Sequence, residues 1–194
     1  MSVDNIFSTP IYQTELKKFQ GLEEYALHLS ETTNSMYHSN NGGFHSEIFK
    51  EPKKPFTELW ETISDECRKF HYALGLNGQV ELTNFWFNIN WTSHSTIPHD
   101  HPYSVLSGVF YVKAHEKCGD LTFHNHNRLV EWCFPPPTIE QRNATNSSNI
   151  SFTPETNMLY IFPSWVLHSV ASNMSDKPRI SVSFNTGVLF GSDT

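Results

Sequence analysis

Residues 157–185 read NMLYIFPSWVLHSVASNMSDKPRISVSFN. An apolar run of strand length, Met158 to Phe162, is stopped by Pro163, Ser164 and Trp165, which turn the chain before a single histidine, His168. Eleven residues later a second strand opens at Arg179, where Arg179, Ser181, Ser183 and Asn185 alternate with Ile180, Val182 and Phe184. A strand with one apolar face and one polar face is ordinary on a protein surface. Here the polar face carries a guanidinium, and the strand follows a buried-type apolar run. That combination points to a barrel with a wet interior.

Working outward, the same period governs the whole second half. In residues 80–91 the alternation places Val80, Leu82, Trp86, Asn88 and Asn90 on one face and Phe85, Phe87, Ile89 and Trp91 on the other. Tyr103 to Lys113 alternates again, grouping Tyr103, Val105, Ser107, Val109 and Tyr111. Short strands are expected at 119–124, 151–153 and 169–172. Residues 125–149 form a polar stretch with three consecutive prolines, long enough to serve as a lid. The first third has helical spacing instead. Leu16, Phe19, Leu22, Tyr25, Ala26 and Leu29 form one stripe, and Phe56, Leu59, Trp60, Ile63, Cys67, Phe70 and Leu74 form another behind Pro55. The expected fold is mostly β: a double-stranded β-helix, the jelly-roll or cupin-like barrel, with N-terminal helices packed outside. A two-sheet sandwich without a pocket is the alternative. It is disfavoured because Asn88, Asn90, Arg179, Ser181, Ser183 and Asn185 would be costly in a dry core. One domain is expected over 1–194, with a helical portion at 1–78 and the jelly-roll core at 79–190.

Composition narrows the function classes. The chain has 194 residues, enough for a core without disulfides, and its 15 Phe and 5 Trp make that core ring-rich. The net charge is -7 and the basic residues form no stripe, which argues against nucleic acid as the main ligand. Three distant cysteines, Cys67, Cys118 and Cys133, read as reduced thiols of a cytoplasmic protein. No apolar run approaches the roughly 18 residues of a membrane span. A homodimer is left open.

Chemistry is concentrated in three histidines and an Arg-x-Ser pair. In an extended segment His99 and His101 share a face while Asp100 points away, and His168 supplies a third imidazole from another strand. Three such ligands grip one face of a first-row metal and leave positions open, although imidazole alone does not choose among iron, copper, zinc and nickel. A ligand imidazole must be neutral and the imidazolium has a pKa of about 6.5, so a three-histidine site is expected to lose metal below roughly pH 6. Arg179 offers a planar fork matched to a carboxylate, with the hydroxyl of Ser181 on the same face. An anion clamp beside a metal suits a dicarboxylate cosubstrate.

At this point the chain resembles the iron(II)/2-oxoglutarate-dependent oxygenase superfamily, which carries H-x-D/E, a distant His and Arg-x-Ser about ten residues beyond it. More narrowly, it resembles a bacterial and phage subfamily with three blocks: W/F-x-N-x-N, H-x-H-P-x-S-x-L-S-G-V-Y-Y-V and F-P-S-W-x-x-H-S-V…R-I-S-x-S-F-N. The corresponding stretches are Trp86 to Asn90, His99 to Val112 and Phe162 to Asn185. The resemblance implies Fe(II) as cofactor and 2-oxoglutarate as cosubstrate. It also implies hydroxylation of a small-molecule or peptide substrate with release of succinate and carbon dioxide. It assigns His99 and His168 as metal ligands and Arg179 with Ser181 as the oxoglutarate clamp. Asn90 is a further candidate donor, and Ser107 an assisting one. Histidine at 101 departs from the superfamily's carboxylate and leaves open whether His101 or Asp100 completes the site.

Two other readings compete. A cupin-like metalloprotein would bind metal without oxoglutarate, but wants a Glu near position 105, where Val105 stands. A jelly roll that only binds a small molecule needs neither. The pair His124 and His126 lacks a third ligand. Trp86 and Trp165 are candidate pocket walls.

Overall fold

The computed structural model describes every residue except 1, 3, 5, 128 and 190–194, and the backbone only of 131, 136 and 189. The outermost ends of the expected single domain, and one residue of the 125–149 stretch, therefore lie outside the described residues. In chain order the elements are β1 (Tyr12–Glu15), α1 (Leu22–Thr32), β2 (Asn40–Asn41), β3 (Phe44–His45), α2 (Thr57–Ala73), β4 (Gln79–Asn90), β5 (Ser95–His99) and β6 (Leu106–Lys113). They continue with β7 (Leu121–His124), α3 (Val130–Cys133), a 3-10 turn at Pro136–Thr138, β8 (Asn149–Phe152), β9 (Met158–Pro163), β10 (His168–Val170) and β11 (Arg179–Leu189).

The strands form two antiparallel sheets. The larger runs β1-β9-β6-β11-β4-β3 and the smaller β2-β5-β10-β7-β8. This is the jelly-roll arrangement, with helices against the outer face of the larger sheet. Helix α2 turns Leu59, Ile63, Cys67 and Phe70 onto that sheet, and α1 adds Leu22 and Ala26. Between helices and sheet lies a ring cluster centred on Phe56, which stacks on Phe85 at 4.9 Å and meets Phe49 and Phe87 edge or tilted. Offset and edge contacts of this kind add to the burial energy of each ring.

Three expectations are corrected. The alternation in β4 does not run unbroken, because the pairing with β11 shifts between Asn185↔Asn84 and Thr186↔Leu82, leaving Thr83 as an extra residue. A bulge reverses the facing of everything beyond it. Val80 and Leu82 consequently join Phe85, Phe87 and Ile89 in the helix-side core instead of sharing a face with Asn88. The stripe from Leu16 is not all helix: the chain up to Glu15 is an edge strand on β9, and α1 begins only after Gly21, whose φ of 77° ends the preceding turn. Tyr103 leaves the β6 face altogether; it sits in a turn with φ 69° and is fully exposed.

No helix among the described residues is long and apolar enough to cross a membrane.

Candidate active site

Between the two sheets lies an open-mouthed cavity. Its larger-sheet wall is built by alternation: β4 turns in Trp86, Asn88 and Asn90, β11 turns in Arg179, Ser181 and Ser183, and β6 turns in Val109 and Tyr111. The facing wall carries the histidines.

His99 ends β5 and His168 begins β10, and the two are direct partners across the antiparallel pair. His101 lies just beyond β5, where its N–H donates to the Ser164 carbonyl at 3.0 Å. The side-chain nitrogens of all three fall within 4.8 Å of one another. Asp100 is exposed and outside this cluster, as its facing predicts. The Nδ1 atoms of His99 and His168 lie 2.8 and 2.9 Å from the carbonyls of Ile97 and Val166. A carbonyl only accepts, so each ring carries its proton on Nδ1 and keeps a lone pair on Nε2, which on His99 accepts from the Ser39 hydroxyl at 3.3 Å. Burial pushes His168 down to about 3 and His101 down to about 4, and lowers His99 as well, with the neighbouring imidazoles reinforcing the first two. Three converging neutral imidazoles, two of them tautomer-locked, fit a divalent first-row metal.

Arg179 is 2% exposed. Its Nη1 donates to the carbonyls of Cys118 at 2.5 Å and Gly119 at 3.2 Å, which anchors one side of the guanidinium. No ion pair among the described residues reaches it. Beside it the Tyr111 hydroxyl is buried with no hydrogen-bond partner among them. Burial raises the phenol's pKa, and the guanidinium opposes that rise. A buried cation without a counter-charge, next to an orphaned hydroxyl, is costly unless an anion completes both. A carboxylate does so.

The remaining expected residues divide. Ser181 and Asn90 line the cavity with Arg179. Ser107 does not: its hydroxyl donates to Asn185 Oδ1 at 2.8 Å, and this buried pair sits away from the lining. Trp86 is a wall, whereas Trp165 is half exposed and meets His126 at a tilt, 4.8 Å between ring centroids. His124 and His126 join no metal-type cluster among the described residues. His45 and Tyr111 are among the lining residues to which the sequence reading assigns no role. Tyr111 was recognisable as inward-facing from its alternation, but His45 lies in a two-residue strand too short to show any period.

The fold is a jelly roll, and its cavity brings together candidate metal ligands and a candidate carboxylate-binding arginine. The family described as "Putative 2OG-Fe(II) oxygenase" matches residues 84–185, more than half of the chain. The protein belongs to that family and is a 2-oxoglutarate-dependent Fe(II) oxygenase. Solved structures with the same fold include a prolyl-4-hydroxylase from Pseudomonas putida, at 12% identity over 94% of each chain with a TM-score of 0.66. The α-ketoglutarate-dependent epimerase SnoN of nogalamycin biosynthesis is 13% identical over 93% of this chain and 79% of its own, with a TM-score of 0.67. HygX from Streptomyces hygroscopicus, solved with nickel, 2-oxoglutarate and hygromycin B, is 10% identical over 94% and 84%, with a TM-score of 0.57. At these identities the likeness is one of fold. No curated protein matches the sequence.

Proposed function

We propose that His99, His101 and His168 hold the iron, that Arg179 with Ser181, Tyr111 and Asn90 holds 2-oxoglutarate, and that the enzyme hydroxylates its substrate. The observation that carries this is the buried guanidinium and orphaned phenol sharing one cavity with the three imidazoles. Bound iron supplies the activation of dioxygen, coupled to conversion of oxoglutarate to succinate and carbon dioxide. The chain supplies the rest. Nδ1–H bonds to Ile97 and Val166 aim the lone pairs of His99 and His168, and burial keeps them unprotonated. Carbonyls of Cys118 and Gly119 pre-orient the guanidinium fork, so little freedom is lost when a carboxylate docks. The apolar walls Val109, Leu121, Phe162 and Val170 limit water beside the metal ligands.

One relative of this fold is named for prolyl hydroxylation and another was solved with hygromycin B, so a peptide or a small molecule is the expected substrate. Helices and barrel share one core, which supports reading the chain as a single domain.

The test is succinate release from the purified protein supplied with iron(II), oxoglutarate and air. Turnover that requires both additions is expected. Metal binding without oxoglutarate binding would favour the cupin-like reading, and neither would leave a non-catalytic jelly roll.

A further inference from the structure

The sheet wall of the cavity carries a polar row in register across four strands. Ser181 on β11 faces Tyr111 on β6 and Asn88 on β4, and Asn88 faces His45 on β3. Directly opposed residues share one face of a sheet, so phenol, hydroxyl, amide and imidazole project together. Strands lie about 4.8 Å apart, which puts His45 roughly 14 Å along the wall from Tyr111. The oxoglutarate pocket occupies the Tyr111 end. His45 marks the other.

His45 is 5% exposed and lines the cavity. Its Nδ1 lies 2.7 Å from the Ser46 carbonyl, which can only accept, so the ring proton is on Nδ1 and Nε2 holds a lone pair. Nε2 makes no hydrogen bond among the described residues. Trp86 connects this ring to the metal triad: it stacks on His45 at 5.5 Å with the planes 16° apart, and lies 6.1 Å from His101. Ser39, Asn40 and Thr96 also line the cavity, with the Ser39 hydroxyl 3.3 Å from His99 Nε2. Among the described lining residues Arg179, at the far end, is the one formal charge. Burial holds His45 neutral, its pKa pushed down to about 4. A carboxylate here would set lone pairs against a lone pair. An ammonium would be stripped of water with no counter-charge.

We propose that His45 is a specificity-determining residue of the oxygenation site, its Nε2 accepting a hydrogen bond from an uncharged N–H or O–H group of the substrate. The substrate class is a neutral molecule or side chain bearing an amide or alcohol, separated from the oxidised carbon by about the breadth of Trp86. This rests on the cavity assignment made under Proposed function.

Acetamide and N,N-dimethylacetamide share a carbonyl core, but only the first donates a hydrogen bond. The full chain, carrying zinc in place of iron and oxoglutarate, is titrated with these two, with acetate and with ethylammonium, while the His45 Nε2 resonance is followed by nitrogen NMR. A saturable shift with acetamide is expected, and binding of the other three weaker by roughly ten-fold or more, the worth of one hydrogen bond. His45→Gln keeps an acceptor and should retain acetamide binding, read through the Trp86 indole resonance. His45→Phe keeps a ring on Trp86 and should lose it by roughly ten-fold. Equal binding of the two amides, preference for a charged probe, no shift with any probe, or unchanged acetamide affinity in His45→Phe would each overturn the proposal. So would loss of zinc or oxoglutarate in His45→Phe, which would make the ring a support of the fold. Failure of the unaltered protein to bind metal with oxoglutarate falls instead on the active-site assignment, since the acetamide contrast can be repeated without metal.

Discussion

His99 and His168 face each other directly across β5 and β10, their ring centroids 4.3 Å apart. Backbone pairing thus sets two imidazoles side by side before any metal is present. His101 reaches the same point from the adjoining turn, tied by its N–H to Ser164.

His168→Ala, His99→Ala and His101→Ala should each strip most of the iron, measured by elemental analysis after desalting. Asp100→Ala should keep it, because that carboxylate is exposed and outside the cluster. Iron lost from Asp100→Ala and kept by His101→Ala would make the carboxylate the third ligand.

Arg179→Ala should weaken oxoglutarate by tens-fold or more while sparing iron, since losing one partner of a buried charge pair costs about 2–5 kcal/mol. Arg179→Lys should recover only part of this, because a point charge does not reproduce the fork. Tyr111→Phe should cost about one hydrogen bond, near 1 kcal/mol. Anaerobic calorimetry on the iron-loaded protein measures all three. Equal affinity in Arg179→Ala would remove the clamp.

Gly119→Ala should damage the same pocket from behind. Gly119 has φ 92°, and an added Cβ would press into the Ala171 carbonyl and come within 2.9 Å of Arg179 Nη1. A lower melting temperature together with weaker oxoglutarate binding is expected, with iron content less affected. Native-like oxoglutarate affinity would show that the guanidinium does not depend on this backbone approach.

Stability should fall with pH in the metal-free protein. His45 and His101 titrate at about 4 and His168 at about 3 in the fold, against about 6.5 when unfolded. Between those values the unfolded chain binds more protons, so these groups contribute their full stability above about pH 6.5 and lose it as pH drops toward 4 and 3. Calorimetric melting temperature should therefore decline across that window, and less steeply in His45→Phe. By the same shifts, proton competition for the metal ligands begins below the pH 6 that an ordinary imidazole implies. A melting temperature flat from pH 6.5 to 4 would contradict the burial of these rings.

Much of the site is readable along the chain because its parts obey local periods. Two-residue spacing puts His99 with His101 and Arg179 with Ser181, and a lone His after a Pro-Ser-Trp turn marks the third imidazole of the proposed metal site. Ser107 obeys the same period and still misses the cavity, since its partner Asn185 is supplied by another strand. Tyr111 shares that face with it and becomes an orphaned phenol only because Arg179 is brought alongside.

What the sequence by itself determined was the class of fold, and it also singled out the candidate metal and anion groups proposed above, because strand alternation and ligand spacing depend on neighbours along the backbone. Tertiary structure alone decided which polar side chains meet. The bulge at Thr83 reverses the facing of Val80 and Leu82, a pairing with β4 carries His45 from a featureless polar stretch to the cavity wall, and three separate segments converge on Arg179. These are long-range registers, fixed by burying one apolar face of each strand against the helices, and no local pattern records them.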